Sequence, residues 1–146
     1  MPRYFTLDQA NALLPRVEQH LRDALFARNE YLVAEEAFQE IQKHIFMAGG
    51  SVVDRDKVTQ IVAKKGASSV IFEQEMELLE ALSVHVKDLD RGLIDFSTWY
   101  QGHEVLLCWE FGEEKINFWH GLNEGFQGRK EIDEAFLEGH SGESEQ

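Results

Sequence analysis

Apolar and small residues recur at helical spacing along the first third of the chain. Ala10, Val17, Ala24, Tyr31, Phe38 and Ile45 stand seven apart, and Leu13, Leu14, Leu21, Ala27, Ala34 and Ile41 fill the gaps. This heptad-like stripe predicts one long helix, ~60 Å at ~1.5 Å per residue. Thr6 opens it, because "TLDQ" sets Gln9 three positions on in a capping-box pattern. Pro15 falls inside and predicts a kink or a lost hydrogen bond. "AGGS", with Gly49 and Gly50, turns the chain. From Asp54 the period is helical again through Val58, Ile61, Val62, Phe72, Met76, Leu79 and Leu82, and Gly66 makes it one helix or two in line. An antiparallel hairpin of two long helices is the simplest arrangement.

After Leu82 the period shortens. "SVHVKDLDRGLIDFS" carries short strand-like runs around "DLDRG", which has turn chemistry. "STWYQGHE" reads as a short turn capped by Ser97 and broken by Gly102. "EVLLCWEF" and "KINFWHGL" flank "GEE" and form a second hairpin. A short helix is expected near Ile132 to Leu137, and a solvated tail from Gly139. The fold class is therefore α+β. A long antiparallel helical hairpin (6–83) precedes a small antiparallel sheet of two hairpins (84–122) and a short C-terminal segment (123–138). These make one domain over 1–138, with a disordered tail over 139–146.

The second hairpin holds the only cysteine, two of the three tryptophans and a histidine. Strand side chains alternate between faces, and antiparallel partners share a face. With Phe111 opposite Ile116, one face collects Val105, Leu107, Trp109, Phe111, Ile116, Phe118 and Leu122, and His120 is its only polar member. Cys108 then stands opposite Trp119 on the other face. Shifting the register by one pairs Leu106 with His120, puts Cys108 on their face and scatters the apolar set. Burial of one such side chain is worth ~1.5–3 kcal/mol, so the coherent register is expected. In it Cys108 and His120 point apart and cannot hold one ion. Trp119, Leu106 and Cys108 then make an outer apolar spot that needs cover from the "WYQG" segment, the C-terminal segment or another chain.

Charge narrows the partners. The 146 residues carry a formal net charge of −13, which argues against nucleic acid and against an anionic membrane surface. "MPRYFTLDQ" lacks the apolar stretch of a signal peptide, and no apolar run approaches a membrane span. A lone Cys108 has no intramolecular disulfide partner, so a cytoplasmic protein is expected.

Four segments resemble a bacterial family known only as domain of unknown function 2203. They are "FTLDQANALLPRV", "KDLDRGLIDF", "EVLLCWEFGEEKINFWH" and "GFQGR". Asp88, Asp95, Cys108, Trp109, Glu113, Trp119, His120 and Arg129 match its motif. Ser83 stands where similar proteins often have glycine. The resemblance implies a small prokaryotic protein and supplies no activity.

The candidate ligand or interface residues are Cys108, Trp119, Trp109, Glu113 and Arg129. The simplest place for His120 is the core, bonded to a backbone carbonyl or a carboxylate. The alternative is a single divalent metal ion on His120, Asp95, Glu104 and Asp88. "DLDRG" lacks the length and terminal glutamate of a calcium loop, and "GFQGRK" is no phosphate loop. There is no "CxxC" and no "GxSxG", so no catalytic residue is assigned. The expectation is a non-enzymatic cytosolic protein, without cofactor, acting through protein contacts as a homo-oligomer. The alternative is a small-ligand or metal-binding protein with its site around His120, Asp95 and Glu104.

Overall fold

The computed structural model describes residues 3–49 and 54–143. The element order is α1 (Leu7–Met47), α2 (Arg55–Ala81), β1 (His85–Asp88), β2 (Leu93–Tyr100), β3 (His103–Trp109), β4 (Phe118–Gly121), β5 (Lys130–Glu131), α3 (Glu134–Gly139) and β6 (His140–Ser141), with a 3₁₀ turn at Phe126–Gly128. This is an α+β protein, a long helical hairpin followed by an antiparallel sheet. The chain forms two compact units, Met1–Leu21 with Leu78–Gln146, and Arg22–Glu77. Among the described residues, no helix is long and apolar enough to cross a membrane.

Helix α1 starts where the capping box places it. The Gln9 N–H donates to Thr6 Oγ1 at 3.2 Å, and the Thr6 N–H donates to Gln9 Oε1 at 3.0 Å. Pro15 does not break the helix. It removes the N–H that would reach the Asn11 carbonyl. The Asn11 side chain, a separate acceptor, takes the Ile116 N–H at 2.9 Å. The turn expected at Gly49 and Gly50 runs into residues 50–53, outside the described residues.

Helix α2 runs unbroken through Gly66. It ends because Ser83 takes a left-handed φ of 63°, which lets the Val84 N–H reach back to the Leu79 carbonyl at 3.2 Å.

In the second unit α1 and α2 run antiparallel. Lys64 pairs with Glu30 at 2.6 Å, Lys65 pairs with Glu35, and the Lys65 ammonium lies 4.7 Å from the Phe38 ring centre. The apolar stripe is fully buried only in part here. Ala24, Ala27 and Ala34 are buried, while Tyr31, Phe38, Ile41 and Ile45 are half-exposed.

The sheet of the first unit runs β1-β2-β3-β4-β5, with β6 also on β2. "DLDRG" makes the β1–β2 turn, where the Arg91 N–H donates to Asp88 Oδ1 at 3.1 Å. Gly92 has a φ of 64°, and a Cβ there would stand 1.9 Å from the Phe111 ring. "STWYQGHE" is not the turn expected from its composition. Strand β2 continues to Tyr100, and Gln101 and Gly102, both at positive φ, turn it into β3. The tail also differs from expectation over 139–141. Gly139 closes α3, and β6 pairs with β2. The His140 Nε2 accepts from the Leu7 N–H at 2.9 Å. Residues 144–146 lie outside the described residues.

The β3–β4 register overturns the one expected. Leu106 pairs with His120, Leu107 with Trp119 and Cys108 with Phe118. Cys108 and His120 therefore share a face, and Trp119 lies on the other. The expected register rested on one buried and one solvated face. Strand β3 lies between β2 and β4 and is buried on both faces from Val105 to Trp109, so alternation carried no register information. The connection is also no tight loop. Its eight residues, 110–117, are held by the Trp109 indole N–H donating to the Glu113 carbonyl at 2.8 Å and by the Glu110 N–H donating to Glu113 Oε1 at 2.7 Å.

One face of the sheet carries Ile94, Phe96, Leu107, Trp109 and Trp119. The start of α1 and α3 cover it. Phe5 meets Phe96 edge-on at 5.2 Å, and Phe136 stacks on Trp119 at 5.0 Å. The cover over Trp119 is thus the C-terminal segment, with Tyr100 edge-on at 5.3 Å. The opposite face carries Asp95, Ser97, Leu106, Cys108 and His120.

Candidate metal centre

Three neighbouring strands each bring one donor to that opposite face. Asp95 on β2 pairs with Cys108 on β3, and His120 on β4 pairs with Leu106 beside it. Asp95 is 1% exposed, Cys108 0% and His120 4%. One donor atom of each lies within 4.8 Å of the other two.

The hydrogen bonds set the ring of His120. Its Nδ1–H donates to the Gly121 carbonyl at 2.9 Å, and its Nε2 stands 3.2 Å from Asp95 Oδ1. With Nδ1 holding a proton, a neutral ring would present a lone pair at Nε2 to a carboxylate oxygen. Two acceptors facing each other at that distance repel, so a cation must sit between them: a proton or a metal ion. The proton accounts for the His120 pKa, raised to about 10 by the Asp95 hydrogen bond first, then by Cys108, against the desolvation that lowers it. It leaves Asp95 Oδ2 buried without a hydrogen-bond partner among the described residues.

A metal ion would suit the same donors. Oxygen and nitrogen held ~2.0–2.2 Å from a tetrahedral zinc ion lie about 3.4 Å apart, close to the Nε2–Oδ1 spacing. The Nδ1–H to carbonyl bond is also the outer contact that fixes the tautomer of a metal-ligating histidine.

The donors open on a cavity of about 240 Å³, whose further walls are Lys87, Leu93, Leu106, Leu122, Glu124 and Phe126. The segment after β4 supplies much of that wall. The Glu124 carboxylate accepts from Lys130 Nζ at 2.5 Å and from the Gly121 N–H at 2.9 Å, and these bonds, Lys130 first, hold its pKa below the usual carboxylate value. A larger cavity of about 480 Å³ in the second unit is lined by Glu40, His44, Asp54 and Lys57 with apolar neighbours. Those four polar residues are all exposed, so no donor there is held as the buried three are.

The remaining sequence candidates are not among the three clustered donors. Asp88 caps the β1–β2 turn. Glu104 pairs with Trp99 near the far end of β3; desolvation first, and then the Glu104 carboxylate, raise the Tyr4 pKa. Trp109 is buried on the helix-covered face. Glu113 and Arg129 form a clamp: the guanidinium donates to Glu113 Oε1 at 2.6 Å and to the Cys108 carbonyl at 3.4 Å. It also stacks on Phe118 at 4.1 Å and on Phe126 at 4.5 Å, and Arg91 stacks on Phe126 at 4.3 Å. Sequence reading missed Lys87, Glu124 and Phe126 as walls of the cavity. Lys87 stands at the irregularity of the β1–β2 pairing between Val86 and Asp88, which period-2 alternation does not foresee.

The chain belongs to the family described as Uncharacterized conserved protein (DUF2203), whose model matches residues 3–132. That span includes Asp95, Cys108 and His120. No curated protein and no solved structure matches the chain.

Proposed function

We propose that this protein binds a single soft divalent metal ion, zinc in character, on Asp95, Cys108 and His120. The observation that carries this reading is the convergence of three buried donors, each within 4.8 Å of the others, one of them with an orphaned carboxylate oxygen. Thiolate, imidazole and carboxylate together suit zinc better than magnesium or calcium, which take oxygen ligands. A cysteine nucleophile activated by a histidine–aspartate pair needs the carboxylate on one ring nitrogen and the thiol on the other. Here Nδ1 is committed to the Gly121 carbonyl and the carboxylate faces Nε2, which favours ligation over that chemistry.

The test is elemental analysis of protein purified without a histidine tag, with cobalt(II) substitution as a second measurement. Stoichiometric metal, and a sulfur-to-cobalt charge-transfer band lost in Cys108→Ser, are expected. Protein that retains no metal and takes up no cobalt overturns the reading.

Self-association is a second reading, favoured by a separate observation on the helical unit. Phe26, Leu32, Val33, Val62, Val70 and Ile71 are all exposed there. A second copy would supply a matching apolar surface under two-fold symmetry. Light scattering over a concentration series tests this, and a monomer throughout overturns it. A cytoplasmic location fits the lone cysteine of both readings.

A further inference from the structure

A tetrahedral ion on three protein donors would keep one position open, and the space those donors line is the cavity beside the cluster. The walls divide by chemistry. Leu93, Leu106, Leu122 and Phe126 form an apolar lining, and Lys87 brings a cation. The Lys87 ammonium has no ion-pair partner among the described residues, whereas Lys64, Lys65 and Lys130 each have one. The one carboxylate in the outer wall, Glu124, is already engaged by Lys130 and the Gly121 N–H. With the metal bound, a ligand entering this space would therefore meet one electrophilic ion, an apolar surface and, at the exposed rim, the Lys87 ammonium. At about 240 Å³ the cavity lies below the ~300–1,000 Å³ of drug-sized sites, so the ligand is small.

We propose that the cavity binds a small organic carboxylate with an apolar body, one carboxylate oxygen on the open metal position and the body against Leu93, Leu106, Leu122 and Phe126. Lys87 is the counter-ion of the carboxylate. A single free ammonium and a mainly apolar wall suit a monocarboxylate better than a phosphate, which calls for several donors. This inference rests on the metal reading above and deepens it.

Cobalt-loaded protein separates the two. Butyrate and benzoate are titrated against its visible spectrum, normalised to bound cobalt, with inorganic phosphate and butanol as controls. Butyrate or benzoate should shift the ligand-field bands saturably, phosphate and butanol should not, and Lys87→Met should weaken carboxylate binding by about fivefold. A protein that loads cobalt with its thiolate band yet shows no saturable response to carboxylate overturns the inference and leaves the metal reading standing. So does phosphate binding as tightly as butyrate, or a Lys87→Met titration that matches the parent. Failure to load cobalt at all overturns both.

Discussion

The two units of this chain use their apolar residues in opposite ways. In the sheet-bearing unit Ile94, Phe96, Leu107, Cys108 and Phe136 are fully buried, and Ser97, Thr98 and His120 among them each hold a hydrogen-bond partner. In the helical unit Phe26, Val62, Val70 and Ile71 face outward, and the Lys65 ammonium lies over the half-buried rings of Tyr31 and Phe38. A sheet strand with neighbours on both edges and cover on both faces leaves little freedom for a side chain. A pair of helices buries one stripe each and leaves the rest to solvent or to another surface. Three donors from three strands can be held with little freedom only in the first setting, and that is where they are found.

The sharpest way to break this contrast is to delete core volume. Leu107→Ala, at a fully buried position, should cost ~2–5 kcal/mol in chemical denaturation. Val70→Ala, at a position 52% exposed, should stay within about 0.5 kcal/mol for an isolated chain. A larger cost at Val70 that grows with protein concentration would instead show the helical face covered by a second copy.

Gly92→Ala comes next. The new Cβ would meet the Phe111 ring at a φ of 64°, so overpacking and left-handed strain add to ~2–4 kcal/mol. Unchanged denaturation would show that Phe111 moves aside freely.

The pH response of metal-free protein probes the buried cluster directly. The His120 pKa is raised from 6.5 to about 10, so the folded state holds this proton more tightly than the unfolded chain. The stability it contributes is fully present below pH 6.5 and is lost as pH rises through about 10. The melting temperature of chelator-treated protein should fall over that window. Asp95→Asn, which removes the charge facing the ring, should flatten the fall. The same slope in parent and variant would place its origin in Tyr4 or elsewhere.

Two opposite glycine exchanges give smaller, stabilising effects. Ser83→Gly should stabilise the first unit by ~1 kcal/mol, because Ser83 holds a left-handed φ that glycine adopts without strain. Gly66→Ala should stabilise the second by about as much, since the position lies inside α2 and a Cβ there meets nothing within 4 Å. Melting temperatures of the two variants check both signs.

Local signals were legible wherever the physics is local. The Thr6–Gln9 box, the α1 stripe and the "DLDRG" turn depend on residues a few positions apart, and each stands where its spacing places it. Gly66 was ambiguous because a single exposed glycine costs a long helix only ~1 kcal/mol. "STWYQGHE" misled because its polar composition hides a strand: Ser97 and Thr98 are buried between β1, β3 and β6. The C-terminal residues misled for a related reason, since pairing of 140–141 with β2 draws on a strand some forty residues earlier.

The sequence by itself determined the fold class, the two helices, the helix start and the set of residue types available for ligation, because periodicity and caps are read from near neighbours. Tertiary structure alone decided which of those residues meet. Burial of both faces of β3 removed the energetic reason for the apolar register, and the eight-residue connection set a register one step away. That single step moved Cys108 from the side of Trp119 to the side of His120, where Asp95, opposite Cys108 on β2, is the third donor.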